Sequence, residues 1–296
     1  MSSKITYLQR LRHWLGRTPV GLTLTFSLIF QVILPASTAA SPQFDSGEAV
    51  PVSVQPSEGY CPQNFHGQIQ RIIDQPTFQT AEWGVVAETL SGQVLFHRNR
   101  DRLLIPASNV KLLTTAAALQ TFGSWDTALQ TWVGIVNRES NNSSADALLA
   151  HLGGPGQVQM ALSSLGIDPL SYRQVDGSGL SRYNAVQPST LVTVLRSMWS
   201  APGGEVFYRS LPVAGQSGTL RRRFRDTPLQ GQVRAKTGTL RGVRALSGYL
   251  SHPDYGPIVF SIIVNQPGQS GDRMLQAIDD VVFELSHLTL CESPEF

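Results

Sequence analysis

Apolar residues recur at intervals of three and four positions along much of the chain, and this spacing predicts amphipathic helices. The predicted helices cover Phe65–Ile73, Ser108–Phe122, Leu129–Val136, Ala145–Leu152, Gln157–Leu165, Pro188–Trp199 and Met274–Leu285. The helix that opens at Ser108 has apolar or small residues at most of its positions, including Leu112 and Leu113. We therefore expect it in the core.

Two other regions are rich in β-branched and aromatic residues between turn signals, which predicts strands. Residues 83–97 read as a hairpin turning at Ser91-Gly92, and three further strands follow late in the chain, at Val233–Lys236, Val243–Leu250 and Pro257–Asn265. The order of elements predicts an α+β fold. One antiparallel sheet is flanked by the N- and C-terminal helices, and the middle of the chain, residues 108–230, forms a helical subdomain against one edge.

Residues 1–40 have the pattern of a secretory signal peptide: basic residues first, then the apolar run Val20–Leu34, then small residues up to Ala40. The apolar run is shorter than the roughly 20 residues that a membrane span needs, so a cleaved signal is favoured over an uncleaved anchor. The predicted organisation is a signal peptide (1–40), a proline-containing linker (41–60), one domain (61–291) and a short tail (292–296). No stable membrane span is expected after cleavage, and the protein is expected in the periplasm or cell envelope.

Removal of the predicted signal peptide reverses the sign of the formal net charge. The chain has a formal net charge of +2, and residues 1–40 carry four basic residues and no acidic ones, which leaves −2. This balance argues against nucleic acid as a partner, and the run Arg221-Arg222-Arg223 is interpreted as a solvated strand edge.

Cys61 and Cys291 stand near the two ends of the mature chain, in a protein bound for an oxidising compartment. A disulfide between them is the expected use. Two buried thiols, or a metal site that would lack its other ligands, are the alternatives. The six histidines show no metal-ligand spacing, so no metal or cofactor is expected.

Ser108 and Lys111 are the first candidate catalytic residues, and both lie on the opening turn of the apolar helix. Residues three apart share a helix face, with Cβ atoms about 5–6 Å apart, so the hydroxyl and the amine can meet as nucleophile and base. The same spacing also fits an ordinary helix N-terminus with a solvated lysine. Lysine usage favours chemistry, because Lys4, Lys111 and Lys236 are the only lysines and arginine, which cannot deprotonate, carries the other positive charge.

Two further motifs accompany this pair. Ser140-Asn141-Asn142 follows the Leu129–Val136 helix, and Lys236-Thr237-Gly238-Thr239 lies on a predicted strand. Ser-x-x-Lys with Ser-x-Asn and Lys-Thr-Gly is typical of class A β-lactamases and penicillin-binding proteins, and the combination is more specific than any one motif. A Ser-His-Asp enzyme is an alternative that explains neither lysine.

With these motifs the chain resembles the type-4 group of low-molecular-mass penicillin-binding proteins, which are serine-type D-alanyl-D-alanine carboxypeptidases and endopeptidases. The resemblance runs from about residue 62 to 288. It includes Trp83-Gly-Val-Val, Asp176-Gly-Ser-Gly-Leu-Ser-Arg and Ser217-Gly-Thr-Leu-Arg-Arg-Arg-Phe. It implies a β-lactamase/transpeptidase-like fold, peptidoglycan stem peptides as substrates, β-lactams as covalent inhibitors and no cofactor.

The resemblance also implies a role for each motif residue. Ser108 would be the nucleophile, Lys111 its base, and Ser140 a proton relay to the leaving amine. Lowering the lysine pKa from about 10.4 to near 7 would require burial and the second cation, Lys236. The implied substrate-binding residues are Asn142, Lys236, Thr237, Gly238 and Thr239, with the backbone N–H groups of Ser108 and Thr239 as the oxyanion hole. In the Asp176–Arg182 loop, Asp176 and Ser178 are candidates for shaping the site.

One feature departs from the family: only 28 residues separate Lys111 from Ser140, where the family carries inserted domains. A helix over 108–122 is about 22 Å long and residues 123–139 can return about 25 Å even as pure helix, so a helical hairpin can still bring Ser140 beside Ser108. The alternatives are a β-lactamase or esterase on the same scaffold, although the chain lacks a Glu-x-x-Leu-Asn segment, and a non-catalytic peptidoglycan-binding protein.

Overall fold

The computed structural model describes residues 61–123 and 125–291. The predicted signal peptide, linker and C-terminal tail lie outside these residues. The helices are α1 (Pro62–Ile73), α2 (Lys111–Thr121), α3 (Thr127–Asn137), α4 (Asn142–Leu152), α5 (Pro155–Ser163), α6 (Pro188–Ser200), α7 (Gly204–Ser210) and α8 (Gly271–Leu285). The strands are β1 (Glu82–Thr89), β2 (Val94–Arg98), β3 (Tyr172–Arg173), β4 (Ala185–Val186), β5 (Val233–Leu240), β6 (Val243–His252) and β7 (Gly256–Asn265).

Within the described residues, five strands form one antiparallel sheet in the order β2-β1-β7-β6-β5, and β3 and β4 form a separate pair. The predicted hairpin supplies β2 and β1, and the three late strands supply β7, β6 and β5. The sheet therefore joins the two ends of the chain through the β1–β7 pairing, in which Val85 is opposite Ile262.

Alternate residues of each strand enter two different cores, as the period of two requires. On β1, Val85 and Ala87 pack in the cluster that includes α1 and α8, whereas Val86 packs in the cluster formed by the helical middle of the chain. The predicted antiparallel sheet with flanking terminal helices is confirmed. The helical middle, however, covers the second face of the sheet rather than one edge, because that face is also apolar.

Helix α2 lies at the centre of the helical part, and every residue from Lys111 to Leu119 is buried. It packs against α3, α4, α5 and α6. This explains its composition, since a helix surrounded by others must be apolar on all sides. No helix among the described residues is both long and apolar enough to cross a membrane.

Local differences from the predictions have physical reasons. Ser108 lies on a 3₁₀ turn, Ala107–Val110, and the α-helix begins only at Lys111. The short helix α7 and the two-residue strands β3 and β4 were not predicted, because elements of this length carry too few apolar positions to define a period. The arginine run lies in turns after the 3₁₀ segment Gly218–Leu220, not on a strand edge, and its Arg223 pairs with Asp279 of α8.

Candidate active site

The turn that carries Ser108 is held from several directions. The side chain of Asn265, at the end of β7, accepts from the N–H of Ile105 at 2.9 Å and donates to its carbonyl at 3.1 Å. Asn109 is fully buried and donates to Ser247 of β6 at 2.8 Å. Between them Ala107 has φ +48°, a left-handed conformation that costs about 1–2 kcal/mol for a residue with a Cβ. The surrounding contacts hold this strained backbone in place.

Lys111 points into a polar pocket although its side chain is fully buried. Its Nζ lies 3.0 Å from Oγ of Ser108 and 2.8 Å from Oδ1 of Asn142, and it also donates to the carbonyl of Ser178. Burial lowers the pKa of Lys111 to about 8, against the charges of Asp146 and Asp176, which raise it. A group with this pKa is neutral often enough near pH 7 to accept a proton.

The three partners of Lys111 match the needs of a neutral amine. A neutral amine has two protons and one lone pair. In the structure Nζ of Lys111 donates to Oγ of Ser108, whose hydroxyl donates to the Ser178 carbonyl at 3.2 Å. When Lys111 is neutral, Asn142 Oδ1 and the Ser178 carbonyl can accept its two protons, which leaves the lone pair to accept the proton of the Ser108 hydroxyl. This is the orientation that a general base requires.

A second lysine and serine meet beside this pair. Nζ of Lys236 donates to Oγ of Ser140 at 2.8 Å and to the carbonyl of Thr237 at 3.0 Å. Lys236 is fully buried, and burial together with the charge of Lys111 holds its pKa well below the usual lysine value. Ser140 itself has φ +56°, so the Ser-x-Asn turn is strained like the Ser108 turn.

Strand β5 lines the site because it is an edge strand of the sheet. A Cβ on Gly238 would lie 2.6 Å from the carbonyl oxygen of Pro106, so only glycine lets the strand approach the Ser108 turn this closely. The N–H of Ala235 donates outside the sheet, to Pro212. Since N–H directions alternate along a strand, the N–H of Thr239 points to the same open side, as an oxyanion hole requires.

The loop over Asp176–Asn184 closes the other side of the site. The Asp176 carboxylate accepts from the N–H groups of Gly179 (2.6 Å) and Ser181 (2.7 Å) and from the side chain of Asn184 (2.8 Å). These contacts fix the loop that presents the Ser178 carbonyl to Ser108 and Lys111. Farther along, exposed Arg182 donates to the carbonyl of Arg241 in the β5–β6 turn.

The structure thus brings the sequence-predicted residues of all three motifs to one place, and it puts Ser178 against Lys111. Burial is the main cause of the lowered pKa of Lys111, and the contribution expected from Lys236 is not among its causes.

Two contacting residues were missed. Oγ1 of Thr219 lies 2.8 Å from Oγ1 of Thr237, and Oδ1 of Asp146 accepts the N–H groups of Gly177 and Ser178. Asp146 could have been found from its position four residues after Asn142 on a predicted helix.

Cys61 lies directly before α1, and Cys291 lies after α8. A side-chain hydrogen bond to Cys61 raises the pKa of Cys291. The two thiols are therefore neighbours, as a disulfide requires, and the disulfide stays a prediction.

Solved structures place this fold among penicillin-binding proteins and β-lactamases. Penicillin binding protein 4 (dacB) from Haemophilus influenzae superposes with a TM-score of 0.66 at 14% identity, over 74% of this chain and 99% of that chain. That protein has also been solved with a β-lactam bound. A β-lactamase from Sphaerobacter thermophilus superposes with a TM-score of 0.61 at 17% identity, over 75% of this chain and 95% of that chain. The chain has the penicillin-binding protein/β-lactamase fold.

Sequence comparison narrows this class to a family. The D-Ala-D-Ala carboxypeptidase 3 (S13) family matches residues 65–134 and 126–285, and the chain belongs to this family. The two matched segments overlap at residues 126–134, between Lys111 and Ser140. The inserted domains that the family resemblance implies would lie at this point of the chain.

Curated relatives agree with the assignment. A D-alanyl-D-alanine carboxypeptidase from Actinomadura sp. (strain R39) is 41% identical over 172 residues, which cover 53% of this chain and 31% of that protein. Penicillin-sensitive carboxypeptidase A from Dictyostelium discoideum is 38% identical over 157 residues, covering 51% of this chain and 30% of that protein. The matched region thus spans about a third of the length of these relatives.

Proposed function

We propose that the protein is a serine-type D-alanyl-D-alanine carboxypeptidase or endopeptidase that cleaves peptidoglycan stem peptides in the periplasm or cell envelope. The observation that carries the proposal is the contact of 3.0 Å between Nζ of Lys111 and Oγ of Ser108, inside a pocket that lowers the lysine pKa. Family membership supplies the substrate class.

In the proposed reaction the Ser108 oxygen attacks the carbonyl carbon between two terminal D-alanines while Lys111 takes the hydroxyl proton. The carbonyl electrons move to the oxygen, where the N–H groups of Ser108 and Thr239 stabilise them. The C–N bond then breaks, and the proton that Lys111 took passes through Ser140 to the departing amine. A water molecule then attacks the ester carbonyl carbon, and the Ser108 C–O bond breaks. The water oxygen stays on the product acid, and one water proton restores the Ser108 hydroxyl.

The remaining motif residues fit binding roles. Lys236 supplies positive charge for the terminal carboxylate of the substrate, next to the hydroxyls of Thr237 and Thr239, and Gly238 keeps the strand close to the nucleophile. Asn142 is placed to hydrogen-bond both Lys111 and a substrate amide. A β-lactam would acylate Ser108 in the same way.

Rapid β-lactam hydrolysis is the second candidate, because β-lactamases share the fold. Class A enzymes use a glutamate and a water to release the acyl group. The chain has no Glu-x-x-Leu-Asn segment to supply such a glutamate, and both Asp176 oxygens accept N–H groups of the Asp176 loop. This favours a long-lived β-lactam adduct over turnover.

The test uses the purified mature protein. We expect release of D-alanine from a pentapeptide muropeptide, a stable adduct with fluorescent penicillin on Ser108, and loss of both in Ser108→Ala and Lys111→Arg. Labelling of Ser108→Ala would refute the nucleophile, full activity of Lys111→Arg would refute the base, and fast regeneration of free enzyme from the adduct would support the β-lactamase.

A further inference from the structure

Asp146 lies on α4 one helical turn after Asn142, so the two side chains project from the same face of that helix. Asn142 accepts directly from Nζ of Lys111 at 2.8 Å. Asp146 acts one step farther away, because its Oδ1 accepts the backbone N–H groups of Gly177 and Ser178, each at 2.9 Å. One face of α4 therefore holds Lys111 both by direct contact and through the loop.

Ser178 is the link between Asp146 and the reacting groups. Its carbonyl accepts from Nζ of Lys111 and, at 3.2 Å, from Oγ of Ser108. Ser178 is only 1% exposed, so water has little access to replace a lost contact. The N–H of Ser178 lies in the peptide plane before its carbonyl, so Asp146 fixes where Ser178 lies against α4. The Ser178 carbonyl shares a plane with the N–H of Gly179, which Asp176 holds.

The contact between α4 and the loop requires a glycine in the loop as well as Asp146 on the helix. A Cβ on Gly177 would lie 2.2 Å from the carbonyl oxygen of Ala145, the residue before Asp146. Only glycine therefore allows the loop backbone to come within reach of a side chain as short as aspartate. The Asp176 carboxylate accepts hydrogen bonds from within its own loop, whereas the Asp146 carboxylate connects that loop to α4.

We propose that Asp146 is a positioning residue for acylation: its carboxylate holds Gly177 and Ser178 against α4, which places the Ser178 carbonyl where it orients Lys111 towards the Ser108 hydroxyl. The inference rests on the proposed function, since acylation of Ser108 is the step on which it acts.

The Asp146 carboxylate also places a negative charge near Lys111. The charged groups that face this site come from three elements: Asp146 from α4, Asp176 from the loop after β3, and Lys236 from β5. Asp146 and Asp176 both raise the pKa of Lys111 against the effect of burial. Removing the Asp146 charge alone therefore lowers the pKa of Lys111, so the acid limb of the acylation rate moves to lower pH.

Two substitutions separate the position from the charge. Asp146→Asn keeps an oxygen that can accept both N–H groups and removes the charge, whereas Asp146→Ala removes both. Asp168→Asn is the matched control, because Asp168 also accepts a backbone N–H, that of Leu170, in an exposed turn away from the site. The measurement is the second-order rate of acylation by fluorescent penicillin from about pH 5.5 to 9.5, with thermal unfolding of each variant.

We expect Asp146→Asn to shift the acid limb down by about 1 pH unit and to keep most of the plateau rate. Asp146→Ala should show the same shift with a plateau at least about tenfold lower, and Asp168→Asn should match the wild type. The inference is overturned if the acid limb of Asp146→Asn lies at the wild-type pH. It is also overturned if Asp146→Asn and Asp146→Ala have equal plateau rates of acylation. If the wild type itself is not acylated, the proposed function fails instead.

Discussion

Nζ of Lys236 donates to the hydroxyl oxygen of Ser140 at 2.8 Å. Because this oxygen accepts from the lysine, its own proton is free to point at a leaving amine. Lys236 and Ser140 come from a sheet edge and a helix–helix turn, 96 residues apart in sequence. The contact supports the proposed proton relay through Ser140.

Ser140→Ala should slow acylation by amide substrates by about 100-fold, the usual size of a lost proton transfer. A thioester analogue should lose less than about tenfold, because a thiolate leaves without needing a proton. Comparing the two kcat/KM values of the variant tests this. Ser143→Ala, an exposed serine on α4, is the control. Equal losses on the amide and the thioester would contradict a relay role for Ser140.

Acylation should rise with pH as Lys111 loses its proton. Burial lowers the pKa of Lys111 to about 8. Below this pKa the lone pair is protonated, so the acylation rate should fall about tenfold for each pH unit, and above it the rate should level off. Acylation by fluorescent penicillin measures this directly, since its carboxylate does not titrate in the range. A rate that stays flat from about pH 6 to 9 would rule out Lys111 as the base.

Local spacing made part of the site predictable. Ser108 and Lys111 are neighbours because a helical turn repeats every three to four residues, and the strands of the sheet follow from their β-rich composition. The face of the sheet that the helices cover was not predictable, since both faces of the central strands are apolar. The roles of Asn265 and Thr219 were also missed, because their contacts join residues 160 and 18 positions apart and depend on tertiary packing.

Cys61 and Cys291 should form a disulfide in the oxidised protein. Their side chains already interact, and the bond would close a loop over almost the whole domain, which typically contributes about 2–4 kcal/mol. We expect no titratable thiol before reduction and a lower unfolding temperature after it. Cys61→Ser should be insensitive to reductant. Two titratable thiols in the oxidised protein would disprove the bond.

Thr219 should share the substrate carboxylate with Thr237. Their hydroxyl oxygens are 2.8 Å apart, and Thr219 is exposed on the rim of the site. Thr219→Val removes one hydrogen bond to a charged acceptor, about 1.5–3 kcal/mol, so KM should rise about 10- to 100-fold with little change in kcat. Thr193→Val, on α6, is the control. An amidated C-terminus should abolish the difference between Thr219→Val and the wild type, and a difference that persists would argue against carboxylate binding.

Asn265 should matter to catalysis although it touches no substrate. Its side chain holds both backbone groups of Ile105, three residues before Ser108, and is 8% exposed. Asn265→Ala removes two hydrogen bonds and frees the strained turn at Ala107, so we expect a loss of about 1–3 kcal/mol in unfolding free energy and a slower acylation rate.

The neighbouring Gln266 provides a control matched in burial and bonding. Its side chain also donates two hydrogen bonds, to Thr77 at 2.9 Å and Thr80 at 3.1 Å, but these lie away from the Ser108 turn. Gln266→Ala should therefore lose similar stability and keep the wild-type acylation rate. If both variants lose acylation in proportion to their stability, general destabilisation accounts for the effect. A slower rate in Asn265→Ala alone shows that β7 sets the position of the nucleophile.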